Sequence, residues 1–178
     1  QKDVDVQLSR SETGAGDDVM APLESKTFEQ FRSKSPTLQE IEKRGELRVG
    51  FEAGYIPFEV TDKQGNFTGF DIDLAKELAK EMKVTFLPVN TAWEGIIPKL
   101  MTKRFDVVIS GMEITAERKK RIDFSESYIN TGPIVLVDRR IKGTTNDEVM
   151  LDELNTPGVK IGSKLGTVRE QVAKRSFP

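Results

Sequence analysis

Apolar and polar residues alternate along this chain with two different periods, and these periods predict β-strands and α-helices in turn. In "ELRVGF" (46–51), apolar side chains recur at every second position, as in a strand with one buried face. In "FDIDLAKELAKEM" (70–82), Leu74, Leu78 and Met82 recur at every fourth position. That period predicts an amphipathic helix that packs these three side chains against a sheet.

A threonine followed three residues later by a glutamate has the spacing of a capping box. This spacing marks three predicted helix starts, at Thr37, Thr91 and Thr167. Gly45 is expected to end the first of these helices. Pro98 lies inside the second helix, where it has no N–H to donate and therefore predicts a kink. The apolar stripe predicted for this second helix comprises Trp93, Ile96, Ile97, Leu100 and Met101.

Further apolar runs predict strands at 84–89, 105–110, 133–137 and 158–162. Strands that alternate with helices predict an α/β fold with largely parallel sheets. In such sheets, ligands bind outside the carboxyl ends of the strands, where helix N-termini also gather. Residues 1–36 are rich in Ser, Asp, Glu, Gly and Lys and lack an apolar period, so we expect a polar tail or tether there.

Composition narrows the classes of function. Lys and Arg (27) nearly balance Asp and Glu (29), so no overall charge favours nucleic acid or an anionic membrane. The absence of cysteine and histidine excludes thiolate metal sites and a thiol nucleophile, and it removes the commonest catalytic base. No cofactor or metal site is predicted. The sequence has no run of about 20 apolar residues and no secretory signal, so we expect any export signal to have been removed already.

The segment "GMEITAER" (111–118) carries the chemistry of a candidate site. Thr115 is expected to cap a helix whose first turn carries Arg118. Free backbone N–H groups and a guanidinium would then face one point, which suits a carboxylate, while Glu113 beside it suits an ammonium group. These are the two ends of a free α-amino acid. The alternative interpretation is a surface ion pair between Glu113 and Arg118, worth under about 1 kcal/mol.

Three separated segments resemble, in order and spacing, the polar amino-acid-binding proteins of bacterial ABC importers. They are "LRVGFEAGYIPFEVTDKQGNFTGFDIDLAKELAKEM", "WEGIIPKLMTKRFDVVISGMEITAERKKRIDFSESY" and "VKIGSKLGTVREQVAKRSFP". The resemblance runs from Thr37 to the last residue and implies the type II periplasmic-binding-protein fold, with two α/β lobes joined by a hinge. Lobe 1 is then expected over 37–131, the start of lobe 2 over 132–178, and the hinge near Asn130 to Pro133.

The resemblance also implies roles for individual residues. Arg118 and the backbone at Thr115 would bind the ligand α-carboxylate from lobe 1, and Thr167 would close on it from lobe 2. The α-ammonium would lie against Glu113 and the segment of Ser110 and Gly111. The remaining ligand side chain would be held by an aromatic pair, Tyr55 and Trp93, with Glu52 near its tip. For Trp93, its place on an apolar stripe also allows a plain core role.

The acids at Glu52 and Glu113 point to the ligand. Many relatives have Ser or Thr at the position of Glu113, whereas an acid there resembles the arginine-type binders. Two acids leave one negative charge beyond what the α-ammonium needs, and a cationic side chain would balance it. Cation–π contact with Tyr55 and Trp93 would add about 0.5–2 kcal/mol. We therefore expect arginine, then lysine or ornithine, with glutamine or another polar amino acid as the alternative.

In the resembling family a closed, ligand-bound form delivers the amino acid to an ABC permease in the inner membrane. We accordingly expect a free L-amino acid and that permease as partners, and a periplasmic location, with 1–36 as a tether. Two alternatives stay open: the sensing domain of a receptor, and a cyclohexadienyl-dehydratase-like enzyme with Glu113 as general acid. Relatives continue beyond the position of Pro178. We therefore expect an incomplete second lobe, exposed apolar surface and self-association.

Overall fold

The computed structural model of the chain describes residues 33–130, 132, 134–136 and 154–177. The chain divides into two compact units, Gln1–Glu126 and Ser127–Pro178. The predicted tail lies almost wholly outside the described residues. The predicted boundary at 131/132 and the predicted hinge stay predictions, because residues 131 and 133 also lie outside them.

The first unit is built on a parallel sheet, as the alternating pattern predicts. Its strands are β1 (Glu46–Phe51), β4 (Thr85–Asn90) and β5 (Val107–Val108), in the order β4-β1-β5. In this register Val49 of β1 lies opposite Pro88 on one side and Val107 on the other. The carboxyl ends of all three strands therefore meet at one edge of the sheet, the edge where α/β folds bind ligands.

A short antiparallel hairpin, β2 (Val60–Thr61) and β3 (Phe67–Thr68), connects β1 to the next helix. That helix, α2 (Phe70–Glu81), begins after Gly69. Gly69 has φ +125°, and a Cβ atom there would lie 2.3 Å from the carbonyl oxygen of Phe58. Only glycine allows this close approach of the loop to the helix start.

The core face of α2 is only partly the one predicted, because Met82 at its end packs against the core whereas the two leucines do not. Its buried residues are Asp71, Ile72, Ala75 and Ala79, whereas Leu74 and Leu78 are exposed over more than a third of their surface. The small side chains of Ala75 and Ala79 let the helix approach the sheet closely. The prediction instead chose the leucines because they are larger and more apolar. The sheet-side core around α2 combines Ile41, Leu47, Val49, Ala75, Ala79 and Ile109.

The N-cap of helix α1 (Pro36–Arg44) lies two residues before Thr37, the predicted cap. Ser35 is the N-cap, and its Oγ accepts a hydrogen bond from the backbone N–H of Leu38. Pro36 occupies the first helical position, where no N–H is needed. At the other end Gly45 ends the helix with φ +74°, as predicted.

The predicted helix from Thr91 was also placed too early. Trp93–Gly95 forms a turn of 3-10 helix capped by Ala92, and α3 (Ile96–Met101) follows it. Thr91 Oγ1 instead accepts a hydrogen bond from Lys99 Nζ. Because α3 starts late, Pro98 lies in its first turn, where an N–H has no intrahelical partner, and it need not kink the helix. Of the predicted stripe, Met101 is exposed.

In the second unit, α5 (Val168–Ser176) begins as predicted. Thr167 caps it by accepting a hydrogen bond from the backbone N–H of Glu170, and Glu170 Oε2 accepts one from Gly166. The strand predicted at 158–162 is wrong, since these residues form no strand. Of the run 133–137, residues 134–136 are described and lie outside any strand. Within the described ranges, no helix combines the length and apolarity that crossing a bilayer requires.

Candidate ligand-binding site

The helix start predicted at "GMEITAER" is present. Helix α4 (Ala116–Lys119) is capped by Thr115, whose Oγ1 accepts a hydrogen bond from the backbone N–H of Arg118 at 3.1 Å. The Arg118 side chain turns back over this start and is only 11% exposed. Because α4 is a single turn, its macrodipole contributes little. Any grip on a carboxylate therefore depends on the guanidinium.

Arg118 and Glu113 form the ion pair that was the alternative interpretation of this segment. Arg118 Nη1 donates to the carbonyl oxygen of Glu113 at 2.7 Å and to its Oε2 at 3.2 Å. Glu113 keeps about a third of its side chain exposed whereas Arg118 keeps about a tenth, so the pair is partly buried. The pair fixes the direction of the guanidinium, and it leaves the roles predicted for both residues toward a ligand untested.

Trp93 has the core role considered for it, and its role toward a ligand stays a prediction. It is 9% exposed and packs with Ile96 and Phe105 in a second hydrophobic cluster. The guanidinium carbon of Arg118 lies 5.4 Å from the centroid of the Trp93 ring, within cation–π range. Trp93 thus supports Arg118 from the core side.

Glu52 and Ser110 connect the ends of β1 and β5. The backbone N–H of Glu52 donates to Ser110 Oγ at 3.2 Å, and Glu52 Oε1 accepts a hydrogen bond from the backbone N–H of Trp93 at 3.2 Å. The Glu52 carboxylate thus lies at the start of the 3-10 turn. It holds Trp93 in place and carries a negative charge at the sheet edge.

Tyr55 lies half-buried in the loop after β1, with its ring 5.0 Å from that of Phe58. It also packs against Gly111, where an added Cβ would lie 3.0 Å from Tyr55 Cε1. Gly111 has φ +50°, which glycine adopts without strain. Gly111 therefore brings the turn after β5 directly against the Tyr55 ring.

The eight site residues predicted in the first unit are joined by contacts into one group. Six of them are linked by hydrogen bonds, the ion pair and the cation–π contact. Gly111 follows Ser110 directly in the chain and lies against the Tyr55 ring, which adds the other two. The group comprises Glu52, Tyr55, Trp93, Ser110, Gly111, Glu113, Thr115 and Arg118. The ninth predicted residue, Thr167, belongs to the second unit, and its role toward a ligand stays a prediction.

Sequence reasoning missed two buried acids next to this group. Glu59 and Asp71 are completely buried. Glu59 Oε1 accepts a hydrogen bond from the Ser110 hydroxyl, and Asp71 Oδ2 accepts one from the backbone N–H of Gly111 at 2.7 Å. The burial of Asp71 could have been predicted from the sequence, because Asp71, Ala75 and Ala79 are spaced by four residues and so share one face of α2.

Glu59 has an unusual protonation equilibrium. Burial, together with the charge of Asp71, raises the pKa of Glu59 to about 7 even though the hydrogen bond from Ser110 opposes the shift. Glu59 Oε2 has no hydrogen-bond partner among the described residues. Such a group changes its charge near neutral pH, which an ordinary glutamate does not do.

The arrangement favours a small zwitterion with an additional positive charge. Glu52, Glu113 and Arg118 together carry one net negative charge at the carboxyl edge of the sheet. A guanidinium held at a fixed angle can bind a carboxylate bidentately, and the nearby acids can accept hydrogen bonds from ammonium or guanidinium groups.

Comparison with known proteins agrees with this chemistry. Residues 47–170 match the model of the bacterial extracellular solute-binding proteins, family 3. The chain is 39% identical over 134 residues to the L-cystine-binding protein TcyJ of Escherichia coli K12. The aligned region covers 75% of this chain and 48% of that protein. The chain thus spans about half the length of the curated relatives it matches.

Two of the similar solved structures carry the comparison further. The ancestral amino-acid-binding protein AncCDT-1, a precursor of cyclohexadienyl dehydratase, is 52% identical with a TM-score of 0.74, covering 80% of this chain and 61% of that one. A mutant of the arginine-bound domain 1 from TmArgBP is 51% identical with a TM-score of 0.52, covering 53% of this chain and 73% of that domain. Its parent ArgBP is from T. maritima. The family match covers more than half of the sequence, and the chain therefore belongs to the bacterial extracellular solute-binding proteins of family 3.

Proposed function

We propose that the chain is part of an extracytoplasmic solute-binding protein that captures a free basic amino acid, arginine in the first place, for an ABC permease. The observation that carries this proposal is the single connected group of eight predicted site residues at the carboxyl edge of the sheet. Relatives and similar structures are named for amino acids, including cystine, arginine and cationic amino acids.

In the proposed complex, Arg118 binds the ligand α-carboxylate. Glu113 then has a second role, since its carboxylate lies beside the guanidinium and can accept from the α-ammonium. A micromolar affinity corresponds to about 8 kcal/mol. Charge-assisted hydrogen bonds of roughly 1.5–3 kcal/mol each can supply a large part of it.

The preference for a basic side chain rests on Glu52 and Tyr55. Glu52 brings the excess negative charge to the sheet edge, and Tyr55 is a half-buried aromatic ring beside Gly111. A guanidinium on the Tyr55 face would gain about 0.5–2 kcal/mol. For Trp93, whose ring already carries the Arg118 guanidinium, direct contact with the ligand stays a proposal.

The first unit supplies eight of the nine proposed ligand residues, and the arginine-bound domain 1 of TmArgBP supports binding to one lobe. Closure by the second unit, through Thr167, would add affinity. Delivery to an inner-membrane permease, the periplasmic location and a tether within 1–36 belong to the same proposal.

Self-association is proposed from the exposed apolar side chains of Phe70, Leu74 and Leu78. Sedimentation as a strictly monomeric chain would contradict it.

An enzymatic role is the second candidate, since AncCDT-1 is named as a precursor of cyclohexadienyl dehydratase. A dehydratase needs a general acid in reach of its substrate. Glu113, the acid predicted for that role, accepts hydrogen bonds from Arg118 instead of donating one. We therefore favour binding without chemistry. Turnover of prephenate or arogenate by the chain would decide for the enzyme.

A thermal-shift screen of the twenty amino acids tests the proposal on the chain as it is. A ligand present at 100 times its dissociation constant stabilises the folded state by about 2.7 kcal/mol, which is a shift of several degrees for a chain of this size. We expect arginine and lysine to give the largest shifts. An unchanged melting temperature with all twenty would reject the proposed function, and larger shifts with neutral or acidic amino acids would reject the preference for basic ones.

A further inference from the structure

Two carboxyl groups lie behind the candidate site without belonging to it. Glu59 and Asp71 are each fully buried, and each accepts a hydrogen bond from the turn of Ser110 and Gly111. Burying an acid is costly unless its hydrogen bonds compensate for the lost water. Two such acids aimed at one two-residue turn indicate that the conformation of this turn is under strong control.

Asp71 controls the direction of one peptide group. Its Oδ2 binds the N–H of Gly111, and the Ser110–Gly111 peptide is trans, since the cis bond of the described chain is Ile56–Pro57. In a trans peptide the N–H and the preceding carbonyl point in opposite directions. The Ser110 carbonyl oxygen therefore points away from the Asp71 carboxylate.

Glu59 connects three parts of the candidate site. Its side chain accepts the hydrogen bond from the Ser110 hydroxyl, and Ser110 Oγ in turn accepts from the N–H of Glu52. Its backbone exchanges two hydrogen bonds with Tyr55, each 3.0 Å long. A change at Glu59 therefore reaches Tyr55, Ser110 and Glu52 together.

We propose that Glu59 and Asp71 are positioning residues of the amino-acid site, which set the orientation of the 110–111 peptide and of the Tyr55 loop without touching the ligand. This inference rests on the proposed function, since it assigns a task to residues that support the same site. It adds a regulatory consequence. The strength with which the turn is held depends on the charge of Glu59, because an ionised carboxylate is the stronger acceptor for the Ser110 hydroxyl.

The pH range follows from the groups around Glu59. Burial and the negative charge of Asp71, on α2, raise the pKa of Glu59, and the hydrogen bond from Ser110, in the turn after β5, lowers it. With the pKa of Glu59 at about 7, its ionised form increases between pH 6 and 8. The chain contains no histidine, so imidazole titration does not confuse this range. Free arginine keeps its charges there.

The first experiment measures the turn directly and compares Asp71→Ala with Asp71→Asn in the full chain. Asn keeps an oxygen that can accept from Gly111, whereas Ala does not. We expect Ala to speed amide hydrogen exchange at Gly111 and to weaken arginine binding by about tenfold or more, and Asn to restore both within about threefold. Asp73→Ala, at an exposed position on the same helix, is the matched control and should change neither.

The second experiment follows the arginine dissociation constant by calorimetry between pH 5.5 and 8.5. We expect the wild-type affinity to rise by about tenfold with a midpoint near pH 7, and Glu59→Gln to bind with no such midpoint. Glu81→Gln, an exposed substitution of the same chemistry, should keep the wild-type profile.

Two results would overturn the positioning role. One is a Glu59→Gln profile identical to that of the wild type. The other is unchanged Gly111 exchange and affinity in Asp71→Ala. If the wild type binds none of the amino acids at any pH, the proposed function fails. The exchange rate of Gly111 still decides whether the buried acids hold the turn, so the two failures are distinguishable.

Discussion

The most informative single substitution is Arg118→Lys, because it keeps the positive charge and removes only the guanidinium fork. In the structure the guanidinium is oriented by Glu113, at 2.7 Å and 3.2 Å, and by Trp93, with the ring centroid at 5.4 Å. A lysine ammonium is a point charge and cannot form two parallel hydrogen bonds to one carboxylate.

The magnitude follows from the bond that is lost. One charge-assisted hydrogen bond contributes about 1.5–3 kcal/mol, so arginine should bind to Arg118→Lys about 10- to 150-fold more weakly. The ion pair with Glu113 is partly exposed, and weakening it should cost under about 1 kcal/mol of folding stability. Isothermal calorimetry with L-arginine measures the first quantity, and urea unfolding measures the second.

Arg121→Lys is the matched control for this experiment. Arg121 lies one turn further on, is exposed and contacts Met101 Sδ at 3.3 Å, so its replacement should leave arginine binding unchanged. The reasoning is refuted if Arg118→Lys binds arginine as tightly as the wild type, or if Arg121→Lys weakens binding as much as Arg118→Lys does.

Three further substitutions test other parts of the account. Glu52→Gln should weaken arginine about tenfold and leave glutamine binding unchanged in parallel titrations; equal losses would contradict the charge argument. Gly111→Ala should weaken arginine binding several-fold, because φ +50° costs about 1–2 kcal/mol and the new methyl would press on Tyr55; wild-type affinity would show that the turn adapts. Asp106→Asn should reduce the free energy of unfolding at pH 7 by about 1–3 kcal/mol, because Asp106 pairs with Arg48 at 2.7 Å. Burial raises the pKa of Asp106, but the hydrogen bonds from Arg48 outweigh it and the net pKa is lowered. The Asp106 carboxylate therefore stabilises the fold fully above the ordinary aspartate pKa, and this stabilisation is lost as pH falls through the lowered pKa. A difference in unfolding free energy between wild type and Asp106→Asn that stays unchanged at acid pH would contradict this.

The elements with a strong local signal were predictable from the sequence. The alternation in 46–51 predicts β1, and Gly45 and Thr167 predict a helix end and a helix start through cap chemistry alone. Thr115 and Arg118 were predictable for the same reason, since the capping hydrogen bond is made within four residues. The prediction of a strand at 158–162 was wrong because an apolar run carries no information on whether a partner strand lies beside it.

The buried acids show where local pattern fails. Asp71 lies on the core face of α2 because its carboxylate meets Gly111, which is 40 residues away in the chain. Without that contact, Leu74 and Leu78 are the natural candidates for the core. The same holds for Glu59, whose partner Ser110 is 51 residues distant. Long-range hydrogen bonds carry no periodic signal in a single sequence.

The central claim is that Arg118 binds the α-carboxylate of a basic amino acid. Titrating the chain with L-arginine and with agmatine, which has the same guanidinium but no carboxylate, measures this directly. The account predicts that L-arginine binds and that agmatine binds at least about 100-fold more weakly, since two charge-assisted bonds are lost. Equal affinity for the two compounds would contradict it.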